Sequence, residues 1–256
     1  MGPHRCASGR RSATVVAVTL ATVLAVAAAW PADDAADPTA AARLGMVRQI
    51  ESIQDSIGQV VGRSRIGDAV LEIMRQVPRH LFVPEALQAQ AYADRPLPIG
   101  HGQTISQPYI VALMTDVLAL TGDEAILEVG TGSGYQAAIL GRLARRVFTI
   151  EIVTPLAETA AERLARFGFD NVTVRQGDGY GGWPEQAPFD AIVVTAAASH
   201  VPPPLIEQIK VGGRMAIPIG NPFMTQELML VTKNADGTVL TRHLLPVRFV
   251  PLVRTQ

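Results

Sequence analysis

The densest run of chemistry-capable residues is Glu128-Val129-Gly130-Thr131-Gly132-Ser133-Gly134-Tyr135, which sits between a strand-like apolar stretch and a helix-like one. Glycines let the backbone take unusual torsions and approach a ligand closely, and a helix starting there points unpaired N–H groups at that ligand. The spacing is G-x-G-x-G, whereas a dinucleotide fingerprint needs G-x-G-x-x-G. No Lys-Ser or Lys-Thr pair follows, which excludes a phosphate-cradling P-loop. An acid, Glu128, stands two residues before the first glycine. Glu151 closes the next apolar stretch about twenty residues on, where an acid can accept hydrogen bonds from both hydroxyls of a ribose. Gly177-Asp178-Gly179 follows the stretch after that, although Asp-Gly is also a common turn pair. The pattern is that of a nucleotide-type site assembled from loops at successive strand ends.

A second group lies upstream, in Gly100-His101-Gly102-Gln103-Thr104-Ile105-Ser106-Gln107-Pro108. Ser106, two residues before Pro108, reads as the N-cap of a helix that carries the proline in its first turn. A cap brings a hydroxyl and free N–H groups together, which favours an anion. His101 adjoins this run and could line a pocket or face solvent. His80 and His200 have no carboxylate at a ligand spacing, so no metal site is expected. Cys6 is the one cysteine. No disulfide can therefore form within the chain, and the domain holds neither a cysteine zinc site nor a thiol nucleophile. No nucleophile-and-base pair is apparent.

These residues need elements to hold them. Apolar residues recur at helical spacing over Leu44–Val61, and again at Ile66, Val70, Ile73 and Val77, where the helix must stop before Pro78. Residues 78–105 are rich in proline and glycine and show no period, which suggests a long ordered loop of the functional kind. The chain then alternates. Strands are expected at Ile126–Val129, Val147–Glu151, Val172–Gln176, Phe189–Thr195 and Arg214–Ile219, with helices at Tyr135–Leu143, Pro155–Phe167 and Pro204–Ile209. Leu228–Thr232 and Leu244–Phe249 flank the turn at Asn234–Gly237 as a closing antiparallel pair. Alternation of this sort implies an α/β fold, a doubly wound, mostly parallel sheet with N-terminal helices and a C-terminal antiparallel strand pair.

The pattern E-x-G-x-G-x-G resembles the first motif of class I methyltransferases, whose Rossmann-like domain binds S-adenosyl-L-methionine. A carboxylate near the loop suits a cationic methionine moiety better than a polyphosphate. Val77-Pro78-Arg79-His80-Leu81-Phe82-Val83-Pro84 and the run from Leu97 to Pro108 are similar to two hallmarks of the protein-L-isoaspartate O-methyltransferases. So are Gly177-Asp178-Gly179, Ala187-Pro188-Phe189-Asp190-Ala191-Ile192, Gly212-Gly213-Arg214 and Arg248-Phe249-Val250-Pro251-Leu252. The resemblance implies methyl esterification of the α-carboxylate of L-isoaspartyl residues in damaged proteins and peptides. It further implies a cofactor site made by Glu128, Gly130, Thr131, Gly132, Ser133, Gly134, Glu151, Asp178 and Gly179. Ser106 would be the active-site residue that orients the substrate carboxylate, with Thr104, Ile105 and Val250 beside it. A carboxylate is already ionised at neutral pH, so this reaction requires no general base.

Composition bounds the alternatives. The chain has 256 residues, 48% hydrophobic and 18% charged, with a net charge of −1. That is enough apolar material for one domain and too little positive charge for nucleic-acid binding. Arg5, Arg10 and Arg11 precede an uncharged apolar run from Ala13 to Trp30. Residues 1–30 therefore read as a signal peptide or membrane anchor, 31–43 as a linker and 44–256 as one domain. Membrane contact is expected only through residues 13–30, and the chain is expected to be a monomer. Location is read as periplasmic or membrane-anchored if this segment works, and cytoplasmic otherwise. Two other readings stay open: a methyltransferase for another carboxylate in an exported setting, and a non-catalytic binding protein.

Overall fold

The computed structural model describes Gly2 and residues 37–221 and 224–254, so the apolar segment 13–30 lies outside the described residues. Helix α1 (Ala40–Val61) starts four residues before the expected Leu44, because its first turn is alanine-rich and carries no apolar stripe to mark it. It ends on Gly62, whose positive φ of 66° lets the cap N–H turn back to Gly58 O. Helix α2 (Asp68–Gln76) stops before Pro78 as expected.

The segment read as one loop is in fact structured. Two 3-10 turns, Arg79–Phe82 and Glu85–Gln90, lead into a hairpin of β1 (Leu97–Gly100) and β2 (Gln103–Ile105). Strands this short carry too few residues to show a period. Gly100, His101 and Gly102 form the hairpin tip, all at positive φ. His101 is exposed there, which favours its solvent-facing reading. Helix α3 (Pro108–Val117) follows, with every residue buried. Its N-cap is Gln107 and carries no side-chain cap, so Ser106 does not cap this helix. The expected cap was placed one residue too early.

From here the chain alternates: β3 (Ala125–Val129), α4 (Tyr135–Leu143), β4 (Arg146–Glu151), α5 (Thr154–Arg166), β5 (Val172–Gln176), β6 (Phe189–Val194), α6 (Pro203–Gln208) and β7 (Ile209–Ile219). The antiparallel pair β8 (Gln226–Lys233) and β9 (Val239–Val247) completes a seven-stranded sheet of order β5-β4-β3-β6-β7-β8-β9. Strands β3 to β7 run parallel. The α/β class, the mostly parallel sheet and the closing antiparallel pair are thus as expected.

Several strands are longer than the sequence suggested, β7 and β9 most of all. Strand β7 begins at Ile209, ahead of the expected Arg214, and its pairing with β6 is irregular there. Strand β9 begins at Val239, but it is an edge strand whose first residues are exposed, so burial imposed no alternation on them.

Alternate residues of the central strands feed two cores. Ile126, Val147, Ala191 and Val193 face the layer that includes α1 to α4. Leu127, Val129, Phe148, Ile150, Ile192 and Val194 face the layer that includes α6. Strand β3 has β4 on one side and β6 on the other. The connections therefore leave β3 and β6 in opposite directions, and the crevice at their carboxyl ends is where open α/β sheets bind ligands.

Candidate functional site

The glycine loop sits at the carboxyl end of β3. Gly130, Gly132 and Gly134 have φ of 99°, 54° and 87°. A Cβ on Gly130 would stand 2.3 Å from Thr195 Oγ1, so this position needs glycine for space as well as torsion. The loop is fastened on three sides. Thr195, just past β6, donates from Oγ1 to Gly130 O at 2.6 Å. Arg163 Nη1 donates to Ser133 O at 2.6 Å. Glu151, at the end of β4, accepts the Gly132 N–H at 2.7 Å and the Val153 N–H at 2.9 Å.

Beneath the loop lies a chain of hydroxyls. Thr149 donates to Glu128 Oε2 at 2.6 Å, which leaves Thr131, 2.6 Å away, to donate to Thr149. Glu128 is wholly buried and its Oε1 meets no partner among the described residues. Burial pushes this carboxyl up to about 8; the Thr149 bond works against that shift, and the charge of Glu151 adds to it.

Two grooves of about 740 and 1050 Å³, counted to their open mouths, meet beside the loop. The first is lined by Gly130, Gly132, Ser133, Glu151 and Gly179, with Gln103, Thr104, Ile105 and Ser106 opposite. The second runs between α1, the start of α3 and the end of β9, with Ile53, Ile57, Tyr109, Ile110, Leu245 and Phe249 along it. Thr104, Ser106, Thr195 and Val250 line both grooves and so form the wall between them.

The expected site residues divide accordingly. Gly130, Gly132, Ser133, Glu151 and Gly179 face the first groove, while Thr104, Ser106 and Val250 stand on the shared wall. Ile105 is buried and lines only the first groove. Glu128 and Thr131 lie under the loop and brace it instead of facing the groove. Gly134, the N-cap of α4, faces Leu164 and Ala160 of α5 closely enough that a Cβ there would meet them at 3.3–3.5 Å. Asp178 adjoins the groove through Gly179 and accepts the Tyr180 N–H at 2.8 Å.

Thr195, Tyr135 and Gln136 were missed. Thr195 had a readable signal, being the last residue of the expected strand Phe189–Thr195. What the sequence lacked was the strand order that sets this strand beside β3. Among the described residues no cluster of His, Cys, Asp and Glu could hold a metal.

The first groove has a floor of glycines without side chains, a carboxylate, Glu151, at one strand end, and apolar walls that include Val129, Ile150 and Ile152. A Cβ on Gly179 would meet Val129 Cγ1 at 2.5 Å, so this edge too is kept bare.

Comparison with known proteins agrees with this geometry. A family model, protein-L-isoaspartate(D-aspartate) O-methyltransferase (PCMT), matches residues 59–256. Protein-L-isoaspartate O-methyltransferase 2 of Syntrophobacter fumaroxidans is 59% identical over 230 residues, which cover 90% of this chain and 93% of that protein. Protein-L-isoaspartate O-methyltransferase 1 of Cupriavidus necator is 57% identical over 239 residues, covering 93% and 90% respectively. Among solved structures, a protein-L-isoaspartate O-methyltransferase superposes with a TM-score of 0.68 at 29% identity, covering 80% of this chain and 65% of that one. A beta-aspartate methyltransferase (PCMT) from Plasmodium falciparum, in complex with S-adenosyl-L-homocysteine, superposes with a TM-score of 0.67 at 27% identity, covering 81% and 98%. With its family model matched over most of its length and its glycine loop, bare groove edge and divided wall in place, this chain belongs to the protein-L-isoaspartate(D-aspartate) O-methyltransferase family.

Proposed function

We propose that the chain methylates the α-carboxylate of L-isoaspartyl residues, with S-adenosyl-L-methionine in the first groove and the isoaspartyl peptide in the second. The observation that carries this reading is the shared wall. Only there can a carboxylate in one groove reach a methyl group in the other, and the wall carries the hydroxyls of Thr104, in the middle of β2, and Ser106, just past its end. The bound donor supplies an electrophilic methyl on a sulfonium. A carboxylate oxygen takes the methyl, and the C–S electron pair stays on sulfur. Ser106 orients that carboxylate by donating a hydrogen bond, and Val250 packs beside it. Because the nucleophile arrives ionised, the residues contribute placement and exclusion of water, an effect worth up to roughly 7–11 kcal/mol when alignment is good.

Transfer of labelled methyl to an isoaspartyl peptide and to its aspartyl twin tests the reading. Methylation of the first alone is expected. Transfer to neither, with S-adenosyl-L-homocysteine still bound, would mean a binding protein. Ser106→Ala should lower kcat/KM by roughly ten- to a hundredfold, as loss of a hydrogen bond to a charged group does, with cofactor affinity retained.

The segment 13–30 behind its three arginines supports export or anchoring of a single domain that begins with α1, and we take that domain to act as a monomer. Among the described residues no helix is long and apolar enough to cross a membrane. Cell fractionation with sequencing of the mature N-terminus tests export, and light scattering of the purified chain tests the monomer.

A further inference from the structure

Ser106 stands on the shared wall, yet nothing in its own turn holds it there. It lies between the last residue of β2 and the uncapped N-cap Gln107. The support comes from Asp94, in the turn that precedes the hairpin. Asp94 Oδ2 accepts from Gln107 Nε2 at 2.6 Å, and Asp94 Oδ1 accepts the Tyr109 N–H at 2.8 Å. Tyr109 is the second helical residue of α3. Its N–H is one of the orphan donors that a cap side chain normally satisfies, and a carboxylate at that end also complements the helix dipole. Asp94 thus caps α3 from outside and grips the residue next to Ser106 in the same bidentate contact.

Asp94 is itself anchored. Arg79, wholly buried, donates from Nε to Ala91 O at 2.8 Å, three residues before Asp94, and the two side chains attract each other. The Arg79 guanidinium also lies 5.0 Å from the ring centroid of Tyr135, a residue of the first groove. The far side of the α3 turn is tied to α1, where Tyr109 donates its hydroxyl to Gln54 Oε1 at 2.9 Å.

We infer that Asp94 is a positioning residue for methyl transfer, holding Ser106 at the wall between the two grooves through Gln107 and the first turn of α3. This rests on the role given to Ser106 above. Asp94 lines neither groove and touches neither substrate. The two residues it grips, Gln107 and Tyr109, line the second groove, so an effect on peptide KM passes through them, whereas its effect on kcat should pass through Ser106.

The test is a double-mutant cycle on the full chain, with an isoaspartyl peptide as substrate and S-adenosyl-L-homocysteine as the binding probe. Asp94→Ala is expected to lower kcat roughly ten- to a hundredfold, as an ångström-scale misplacement does, with a smaller change in peptide KM and cofactor affinity within about twofold. Added to Ser106→Ala, it should lower the rate little further, because the two act as one unit. Asp94→Asn should keep most of the rate, since its Oδ1 still accepts the Tyr109 N–H and its amide can donate to a flipped Gln107.

If Asp94→Ala fails to fold, Gln107→Leu takes its place in the cycle, breaking the 2.6 Å contact while leaving the helix cap intact; because Gln107 also lines the second groove, that cycle is read in kcat at saturating peptide and not in KM. Losses that multiply in the double variant, or a normal kcat with only a lowered melting temperature, would overturn the inference while leaving the Ser106 reading standing. A Ser106→Ala enzyme with unchanged rate would overturn both.

Discussion

Glu151 does two jobs with one carboxylate. It accepts the Gly132 and Val153 N–H groups, and so fixes the glycine loop relative to β4, and it lines the first groove. Glu151→Ala should therefore weaken S-adenosyl-L-homocysteine binding by roughly tenfold or more, the scale of a lost hydrogen bond to a charged group; equilibrium dialysis or calorimetry would check it. Glu128 behaves differently. Its carboxyl titrates near 8 in the folded chain because burial disfavours the charge, against an ordinary value of 4.5. A raised acid binds its proton in the folded state while the unfolded chain has released it. Stability from this group is therefore full below about pH 4.5 and is lost as pH rises through about 8. Glu128→Gln should remove that component, so the melting temperatures of variant and parent, followed from pH 5 to 9, should converge at the acid end and separate in the variant's favour at the alkaline end. A constant offset across that range would contradict the buried-proton account. At this scale the sequence spoke most clearly in the glycine loop, where the spacing of three glycines between a strand and a helix has few uses, and less so at Gly177-Asp178-Gly179, where a plain turn reads the same. It was silent on Asp94, whose function depends on a contact with Gln107 and Tyr109 across the hairpin that no local spacing encodes.

Among the elements, α1 matters beyond packing. Met46, Val47 and Ile50 are buried in the core, while Ile53 and Ile57 are half-buried and line the second groove. Placing a charge there should repel an apolar stretch of peptide without touching the cofactor side. Ile57→Glu is expected to raise peptide KM several-fold, about what the loss of one to two kcal/mol of apolar contact brings, and to leave cofactor affinity unchanged. Initial-rate kinetics with varied peptide decide it; an equal change on both sides would mean that the helix has shifted as a body. The helices and strands were legible wherever a period had room to repeat, as in α4 and β5, whose bounds the sequence reached to the residue. The hairpin was not, and of α3 only the start near Pro108 was. Strands β1 and β2 are too short, and α3 is buried on every side, its Thr115 and Asp116 included, so it shows no polar face to set off an apolar stripe.

For the whole molecule, the sheet is buried along its middle and open at its rim. Leu240 on β9 is 61% exposed, so replacing it by lysine should change stability by less than about 0.5 kcal/mol, the usual range for a surface site. Tyr109→Phe should cost roughly 1–3 kcal/mol, because it deprives the buried Gln54 of its donor and loosens α3 from α1. Chemical denaturation of the two variants side by side would show whether the contrast holds. Overall topology was open to sequence reasoning because alternation of strand and helix permits few arrangements. The order of strands across the sheet was not, and with it went Thr195, which only the neighbouring of β3 and β6 brings to the wall.

That wall is thin enough for four side chains to serve both sides of it. A single molecule could therefore be made to straddle it, with an adenosine portion in one groove and a carboxylate-bearing peptide in the other, joined by a short tether past Ser106. Each half would present the other at high effective concentration, and the joined ligand should bind about a hundred- to ten-thousandfold more tightly than either part alone. The spacing of the tether that binds best would then serve as a ruler, reporting in solution the span across which the methyl group has to travel.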